Sequence, residues 1–178
     1  KSVTEIHIDA VNNEDKESLW IIKSTKHAEP LIKTINLKGS GDEVFVFKRS
    51  DENSIQSEFS VPLKYLYEPN AAILKAGAFK TTANQFHLKK LHEHTHLYTS
   101  EKEVNFPGRI FKILSTYPYN KKSFTAMQVE KANITIRNFP VSVADLRKKH
   151  KIKEGGKFYL FFITDLNNKR RIIKCIKA

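Results

Sequence analysis

Residues 63–79, LKYLYEPNAAILKAGAF, indicate an extended segment that turns sharply into a helix. A proline disfavours the α region for the residue before it and suits the first position of a helix, so we expect the turn at Glu68 and Pro69. Small and aliphatic residues then recur at helical spacing, and Gly77 provides a left-handed stop. This stretch also divides the chain by charge, since an acidic part precedes it and a basic part follows it.

The charge division is large. The whole chain has 31 Lys/Arg and 19 Asp/Glu, a net charge of +12. Residues 1–60 hold 8 basic and 11 acidic residues, or −3, whereas residues 109–178 hold 17 and 4, or +13. A compact unit this basic is typical of a protein with a polyphosphate partner, because each neutralised phosphate releases condensed counterions. The alternative is a lysine-rich, solvated surface.

The composition is that of a globular protein, with 40% hydrophobic and 28% charged residues. No apolar run approaches the roughly 20 residues that a membrane helix needs, and no signal peptide is visible, so we expect no membrane partner. One cysteine cannot form an internal disulfide, which fits the reducing environment of a cytoplasmic protein. The single cysteine, Cys175, lies in an apolar run and is expected to be a packed hydrophobe rather than a nucleophile. Because the chain begins with Lys1, we expect it to be a piece of something longer.

The N-terminal 60 residues predict a strand, a helix and a hairpin. Residues 3–11 alternate apolar and polar side chains, which is typical of a strand. Two strands are expected around a turn at residues 38–42, which holds Gly39-Ser-Gly41 but opens no helix and therefore does not resemble a phosphate loop. Residues 51–60 are polar and predict a surface linker. Between the first strand and the hairpin we expect a helix capped by Asn12 or Asn13, with a buried side made by Leu19, Trp20 and Ile22.

From Arg109 onward the pattern predicts β-α-β-α-β-β, a compact α+β layer with both helices on one face. Asn120 and Ser142 are placed to cap the two helices, and Gly155-Gly156 is expected to end the second. The strands are expected at 109–117, 132–137, 157–164 and 169–177, the last two forming a hairpin.

Basic residues recur through this part and make a phosphate-contacting surface plausible. Phe139, Tyr159 and Phe161 could contact bases if exposed, although their apolar surroundings favour core packing. The candidate RNA-binding residues are Arg137, Arg147, Lys148, Lys149, Lys151, Lys153, Lys169, Arg170 and Arg171.

Four histidines, His87, His92, His94 and His96, lie in the middle of the chain. Alternate positions on a strand would place three imidazoles on one face, an arrangement that can bind a transition metal. No cysteine is near, and the carboxylate of Glu93 would point to the opposite face, so a solvated loop is the favoured interpretation and no metal ligand is assigned.

The chain resembles the C-terminal part of bacterial class I S-adenosylmethionine-dependent methyltransferases that carry a THUMP-like domain. The blocks that carry the resemblance are YLYEPNAAILKAG (65–77), HLYTS (96–100), FPGRIF (106–111) and ANITIRNFP (132–140) with Asp145-Leu-Arg147. They cover most of residues 60–178 in the order in which the family has them.

The resemblance implies three pieces: the last strands of a Rossmann-like methyltransferase sheet in residues 1–60, a ferredoxin-like domain in 61–108, and a THUMP-like domain in 109–178. It also implies a partner RNA, tRNA or rRNA, that this region presents to the protein's own N-terminal methyltransferase domain. The glycine-rich cofactor turn and the Asp-Pro loop that methyl transfer uses do not occur in residues 1–178. No catalytic or cofactor-binding residue is therefore assigned, and S-adenosylmethionine is expected only for the full-length parent.

Two other functions stay open at this point. One is a small enzyme acting on phosphorylated substrates, with histidines as acid–base groups. The other is a protein-interaction scaffold whose acidic N-terminal layer docks a partner, which an exposed hydrophobic face along residues 1–50 would support. Glu68 is expected to serve as a structural cap, although it could also face an active site outside the chain.

Overall fold

The computed structural model describes residues 1–24 and 29–178, and none of the helices in these ranges has the length and apolar character to cross a membrane. The fold is a mixture of α and β in which the strands form two sheets. The elements in chain order are β1 (Ser2–Val11), β2 (Glu14–Lys23), β3 (Leu31–Leu37), β4 (Glu43–Lys48), α1 (Arg49–Ser54), β5 (Tyr65–Pro69), α2 (Ala71–Ala76), α3 (Phe79–Gln85), β6 (Lys89–Lys90), β7 (Tyr98–Ser100), β8 (Gly108–Pro118), α4 (Lys121–Met127), β9 (Lys131–Arg137), α5 (Val143–His150), β10 (Lys153–Thr164) and β11 (Arg170–Lys177).

The chain divides into two compact units. The first comprises Lys1–Ser57, Pro69–Leu88 and Asn105–Arg109, and the second comprises Glu58–Glu68, Lys89–Val104 and Ile110–Ala178. The division into 1–60, 61–108 and 109–178 stays a prediction.

The first unit contains a four-stranded sheet in the order β2-β1-β3-β4, in which β1 and β3 are parallel and the outer pairs are antiparallel. One face of the sheet packs on α2, because alternate residues of the strands are apolar on that side. The core there is made by Ile8, Ala10, Ile32, Phe45 and Phe47 against Ala72, Ile73 and Ala76.

The helix predicted after residues 3–11 is wrong, since this segment is β2, an edge strand antiparallel to β1. Asn12 and Asn13 do not cap a helix but form a tight turn, with φ angles of 50° and 66°. Positive φ at both central residues is the conformation of a type I′ hairpin turn, and asparagine tolerates it well. Asn13 is fixed there because its backbone N–H donates to Oδ1 of Asn36 at 2.9 Å.

The apolar side expected for that helix is exposed. Leu19, Trp20 and Ile22 lie on β2 with exposed fractions of 46%, 63% and 60%. Val44 and Val46 on β4 are also exposed, because their neighbours Phe45 and Phe47 point to the packed face. Leu19 is paired with His7 and lies on the face opposite α2, which it shares with Val44 and Val46. Trp20 is paired with Ile6 and lies on the α2 face, exposed at the edge of the sheet. The first sheet therefore has one packed face and one open, partly apolar face.

The stretch from Tyr65 onward changes from strand to helix as expected, but one cap is shifted. Pro69 ends β5 and is not the first helical residue; Asn70 is the N-cap of α2, and its side chain accepts from the N–H of Ile73 at 3.0 Å. An asparagine side chain satisfies an otherwise unpaired N–H of the first turn, which proline cannot do. Gly77 ends α2 with φ of 69°, confirming the left-handed stop.

The linker expected at residues 51–60 begins with a helix, α1. Its Glu52 is buried and accepts hydrogen bonds from the N–H groups of Phe79, Lys80 and Thr81 at the start of α3. A carboxylate at a helix N-terminus is stabilised by the unpaired N–H groups and by the macrodipole. A polar, loop-like sequence therefore carries the cap of another element.

The second unit contains a seven-stranded sheet in the order β6-β7-β5-β8-β11-β10-β9. The predicted β-α-β-α-β-β order from Arg109 onward is confirmed, with β10 and β11 antiparallel and β10 parallel to β9. Asn120 and Ser142 cap the two helices as expected. The predicted stop at Gly155-Gly156 is wrong, because α5 ends at His150 and both glycines lie within β10.

Both faces of this sheet are covered. On one face α4 and α5 pack on the strands through Met127 and Leu146, against Leu160, Phe162 and Ile172. On the other face a second cluster of residues is buried, and it consists of Leu66, Leu91, Leu97, Phe111, Phe161, Ile163, Ile173 and Cys175.

Candidate nucleic-acid interface

A cavity opens beside the first turn of α4 and the last turn of α5. Its volume is about 380 Å³. We call it the aromatic–lysine cavity, and it is lined by Tyr119, Asn120, Lys121, Phe124, Lys149 and His150.

The local sequence explains why these side chains meet. Asn120 caps α4 through its Oδ1, which accepts from the N–H of Ser123 at 3.0 Å, so Lys121 is fixed as the first helical residue. Ser142 caps α5, and Leu146 is completely buried under it. One turn later, Lys149 and His150 are therefore held at the end of a helix whose orientation the core determines.

Aromatic contacts form the wall of the cavity. The ring of Tyr119 meets Phe139 edge to face at a centroid distance of 5.1 Å, and meets the buried Phe162 at 6.0 Å. The rings of Phe124 and His150 are stacked, with centroids 3.4 Å apart and planes inclined by 4°. Offset and edge-to-face contacts of this kind hold aromatic rings in fixed orientations.

Polar atoms lie at the rim of the same wall. The Tyr119 hydroxyl is 3.4 Å from Nε2 of His150 and 3.5 Å from Nζ of Lys149, and this Nζ is also 5.5 Å from the Tyr119 ring centroid. Burial, with the neighbouring charge of Lys149, lowers the pKa of His150 below its ordinary value. The imidazole is therefore neutral near pH 7, and the positive charge at the cavity is that of Lys121 and Lys149.

A second cavity of about 580 Å³ lies where β9 and β10 end and β11 begins. Asn138 and Asn168 at this edge have φ of 50° and 58°, in the left-handed region that asparagine tolerates. We call it the turn cavity, and its lining is Asn138, Phe139, Pro140, Thr164, Asn168 and Arg170.

Three of the nine predicted RNA-binding residues are arginines whose guanidinium groups donate hydrogen bonds to acceptors within the protein. Arg137 donates to the buried carboxylate of Glu68 at 2.7 Å, and Arg171 donates through Nε to Asp165 at 2.8 Å. Arg147 donates to the carbonyls of Ala132 and Ile152. The prediction for these residues is untested, but their guanidinium groups already stabilise the fold. The other six candidates are exposed: Lys148, Lys149, Lys151, Lys153, Lys169 and Arg170.

Two of those six candidates line the cavities, Lys149 in the aromatic–lysine cavity and Arg170 in the turn cavity. Basic residues in the last turn of α5 also complement the helix macrodipole, which gives part of this charge run a structural reason. Sequence reasoning missed Tyr119, Lys121 and Phe124. The run YPYNKKSF at 117–124 was the available signal, because it interleaves aromatic rings with lysines next to a helix cap.

The aromatic residues considered for base contacts lie in the core or pack against it. Phe161 is completely buried, and Tyr159 packs beside it against Phe111. Phe139 is half-buried between Tyr119 and Phe162, although it also lines the turn cavity. Core packing, the interpretation favoured from the sequence, describes all three.

Glu68 is not a helix cap, so that expectation is wrong. It is 2% exposed, and its Oε1 accepts from Arg137. A buried carboxylate is costly unless it is paired, and the guanidinium supplies the opposite charge. The cap of α2 comes from Asn70, which is two residues later.

The histidine-rich segment does not form the alternating strand that a metal site would need. His92 and His94 lie before β7, with their rings edge to face at 5.6 Å. Nδ1 of His92 accepts from the N–H of His94 at 3.0 Å, and Nε2 lies 3.1 Å from Oδ1 of Asn168. Within residues 1–24 and 29–178, no group of three or more His, Cys, Asp or Glu side chains is placed to hold a metal ion.

Cys175 is buried in the second unit, and burial raises the pKa of its thiol far above the ordinary value. A thiol that stays protonated is a poor nucleophile. The residue is a packed hydrophobe.

The first unit holds a polar network at Glu43. This carboxylate accepts from Nδ2 of Asn36 at 2.8 Å and of Asn70 at 3.0 Å, and also from Lys38. Burial acts to raise the pKa of Glu43, but the hydrogen bonds from Lys38 and the two asparagines outweigh it and lower the pKa. An adjoining cavity of about 350 Å³ is lined in part by Phe86 and by residues 105–107.

Comparison with known proteins matches the two C-terminal parts of the chain to known domain families. Residues 65–107 match the family model of a ferredoxin-like domain, and residues 108–177 match that of a THUMP-like domain. The chain carries a ferredoxin-like and a THUMP-like domain. THUMP-like domains are generally associated with RNA binding. No curated protein matches the chain.

A solved structure matches almost the whole chain. It is the crystal structure of a "putative methyltransferase" from Porphyromonas gingivalis W83, with a TM-score of 0.93 and 36% sequence identity. The match covers 99% of this chain and 46% of that chain. The chain thus spans less than half of the protein to which it is similar.

Proposed function

We propose that this chain is the RNA-engaging C-terminal region of an S-adenosylmethionine-dependent methyltransferase, and that it presents tRNA or rRNA to a catalytic domain outside the chain. The observation that carries the proposal is the aromatic–lysine cavity within the domain that matches the THUMP-like model. Lysines supply phosphate contacts that are independent of sequence, and aromatic rings supply contacts to unpaired bases.

The charge distribution supports the same function. Residues 109–178 carry a net charge of +13, and the exposed lysines of α5 and of the segment after it are available to phosphates. A protein that neutralises several phosphates binds with an affinity that falls steeply with salt concentration. We therefore assign RNA binding to the second unit and no chemical step to it.

The residues of this chain do not fit the cofactor. The Gly39-Ser-Gly41 segment joins the antiparallel strands β3 and β4, whereas a dinucleotide-type cradle opens a helix behind a parallel strand. In this proposal S-adenosylmethionine is bound elsewhere in the parent protein, and the methyl donor chemistry belongs to that part.

The proposal also gives a role to the open face of the first sheet. Leu19 on β2 and Val44 and Val46 on β4 are exposed on this face, and an exposed apolar patch marks an interaction surface. We assign this face to the remainder of a methyltransferase sheet, the protein's own N-terminal domain, because the similar chain from P. gingivalis is more than twice as long. An interaction scaffold would use the same face for a different protein.

The RNA assignment is tested by fluorescence anisotropy with labelled tRNA as the structured RNA and with polyglutamate as a polyanion competitor. The variant combines Lys121→Glu, Lys148→Glu and Lys149→Glu, because all three lysines are exposed and their removal spares the internally bonded Arg147. We expect at least a tenfold loss of affinity and a slope of log affinity against log salt that is smaller by about 2 to 3.

The matched control reverses three other exposed lysines of the second unit, Lys112, Lys157 and Lys177, which line neither cavity. It changes the net charge by the same amount. The proposal fails if the two triple variants lose affinity equally, or if polyglutamate displaces the RNA at comparable charge concentration.

A further inference from the structure

We infer that the aromatic–lysine cavity binds a single unpaired nucleotide of the RNA, with the base against the Tyr119–His150 wall and a phosphate between Lys121 and Lys149. This inference rests on the proposed RNA-binding function and assigns a location and a ligand to it. The cavity volume of about 380 Å³ is within the range of about 300–1,000 Å³ found for small-ligand sites.

The floor of the cavity is rigid. Tyr119 packs edge to face on Phe162, a completely buried residue, and its backbone N–H donates to the carbonyl of Arg170 at 3.0 Å. Phe124 backs His150 by stacking on it at 3.4 Å. A base that enters this cavity therefore meets rings that are already held in place, so that little side-chain entropy is lost on binding.

The wall combines flat apolar surface with polar atoms at its edge. The neutral imidazole of His150 and the phenol of Tyr119 offer π faces, and stacking on an aromatic face tolerates any base because every base has a π face. The Tyr119 hydroxyl and Nε2 of His150, which lie 3.4 Å apart, can exchange hydrogen bonds with the edge of a base.

The two lysines give the cavity its preference for a phosphate. Nζ of Lys149 lies 3.5 Å from the Tyr119 hydroxyl, and among the residues that the structure describes no carboxylate lines the cavity. Lys121 begins α4, so its charge is at the same mouth. A phosphate next to a base satisfies both features at once, whereas an acidic peptide would leave the aromatic wall without a matching flat ring.

The test uses a labelled RNA hairpin with a five-nucleotide loop, and a set of the same hairpins in which each loop nucleotide in turn is made abasic. Binding to the whole chain is measured by anisotropy. For the native protein we expect one abasic position to weaken binding about tenfold, because one stacked base is lost there. For the His150→Leu variant we expect weaker binding to the intact hairpin and no further loss at that position.

Phe59→Ala provides the matched control, since Phe59 is an aromatic residue of the second unit that is 47% exposed and lies outside the cavity. It should retain the abasic effect. The unfolding midpoint of each variant, followed by circular dichroism, is the check that the variant folds. If His150→Leu fails to fold, Lys121→Gln replaces it. The expected result is then a loss of about fivefold in affinity for the intact hairpin.

Three outcomes overturn the inference. The first is that all abasic hairpins bind like the intact one. The second is that His150→Leu keeps the full abasic effect. The third is that free adenosine 5′-monophosphate binds as tightly as the hairpin, which would make the cavity a site for free nucleotides. In the first two cases, retention of salt-dependent binding to the hairpin leaves the proposed function standing. Absence of any binding to RNA removes both.

Discussion

The two compact units bury their β-sheets to different extents. The first unit packs one face of a four-stranded sheet on α2 and leaves Leu19, Trp20 and Ile22 exposed on its edge strand. The second unit has buried clusters on both faces of a seven-stranded sheet, and its aromatic–lysine cavity combines exposed lysines with aromatic rings. The difference accords with the proposed division of tasks, since an open apolar face fits association with protein, whereas a basic surface with aromatic rings fits nucleic acid.

The largest expected effect is a contrast between aromatic residues of the two units. Phe162→Ala removes a completely buried ring from the second unit and should lower the free energy of unfolding by about 3–5 kcal/mol. Trp20→Ala removes a ring that is 63% exposed and should change it by less than about 0.5 kcal/mol. Urea unfolding followed by circular dichroism measures both. Equal losses would show that Trp20 on the edge strand β2 is buried in solution.

The next effect concerns the ion pair between Glu68 and Arg137. Arg137→Met leaves a carboxylate that is 2% exposed beside an apolar side chain, and we expect a loss of about 3 kcal/mol in the free energy of unfolding. Adding Glu68→Gln should recover part of this loss, because the buried charge is then removed as well. The four proteins of this cycle are compared by urea unfolding. Strict additivity would mean that the two side chains do not interact.

The two units differ in how much of their structure could be predicted from the sequence, and the cause is a difference in burial. The β-α-β-α-β-β order of the second unit was predictable because its faces are buried, and burial imposes the alternation and the caps at Asn120 and Ser142. The strand β2 was not, because exposed Leu19, Trp20 and Ile22 on an open edge resemble the buried side of a helix. The Asn12-Asn13 pair is a turn signal, but asparagine is also a frequent helix cap, and the local sequence does not distinguish the two.

The basic character of the candidate site was predictable from the sequence, but the individual residues that form it were not. A basic C-terminal region was evident from the charges, and Lys149 was named. Which arginines have internal partners depends on contacts distant in sequence, such as that of Arg137 with Glu68, and no local pattern reveals them. The aromatic wall likewise joins Tyr119 to His150 across 31 residues.

A moderate effect is expected in the pH dependence of the free energy of unfolding, through the hydrogen-bonded carboxylate of Asp165. Burial opposes ionisation of Asp165, but the hydrogen bonds from Arg171 and from backbone N–H groups outweigh it, so the pKa of Asp165 lies below its ordinary value. The unfolded pKa is about 3.9, so the stabilisation is present above about pH 4 and is lost as the pH falls through the folded pKa. Asp165→Asn should cost about 2 kcal/mol at pH 7.

The check is the difference in free energy of unfolding between native protein and Asp165→Asn at pH 7 and at pH 3. We expect it to shrink on acidification. Glu43→Gln gives the corresponding measurement for the first unit, whose carboxylate also has a lowered pKa. A difference that stays constant with pH in either unit would contradict the hydrogen-bonded carboxylate described for it.

The smallest effect concerns helix caps. Ser142→Ala removes the hydroxyl that accepts from the N–H of Asp145 at 3.1 Å, and should destabilise α5 by about 1 kcal/mol. Because α5 positions Lys149 and His150, the same variant should weaken RNA binding slightly. Thermal unfolding and anisotropy measure the two effects. A cap substitution in α2 of the first unit, Asn70→Ala, should destabilise that unit and leave RNA binding unchanged.

The most direct test of the division of tasks is a chemical-shift map of the uniformly ¹⁵N-labelled chain titrated with a structured RNA. We expect the amide signals that move to cluster at residues 119–124 and 146–151, while those of β1–β4 in the first unit stay in place. Shifts concentrated in β1–β4, with the aromatic–lysine cavity unaffected, would contradict this division of tasks.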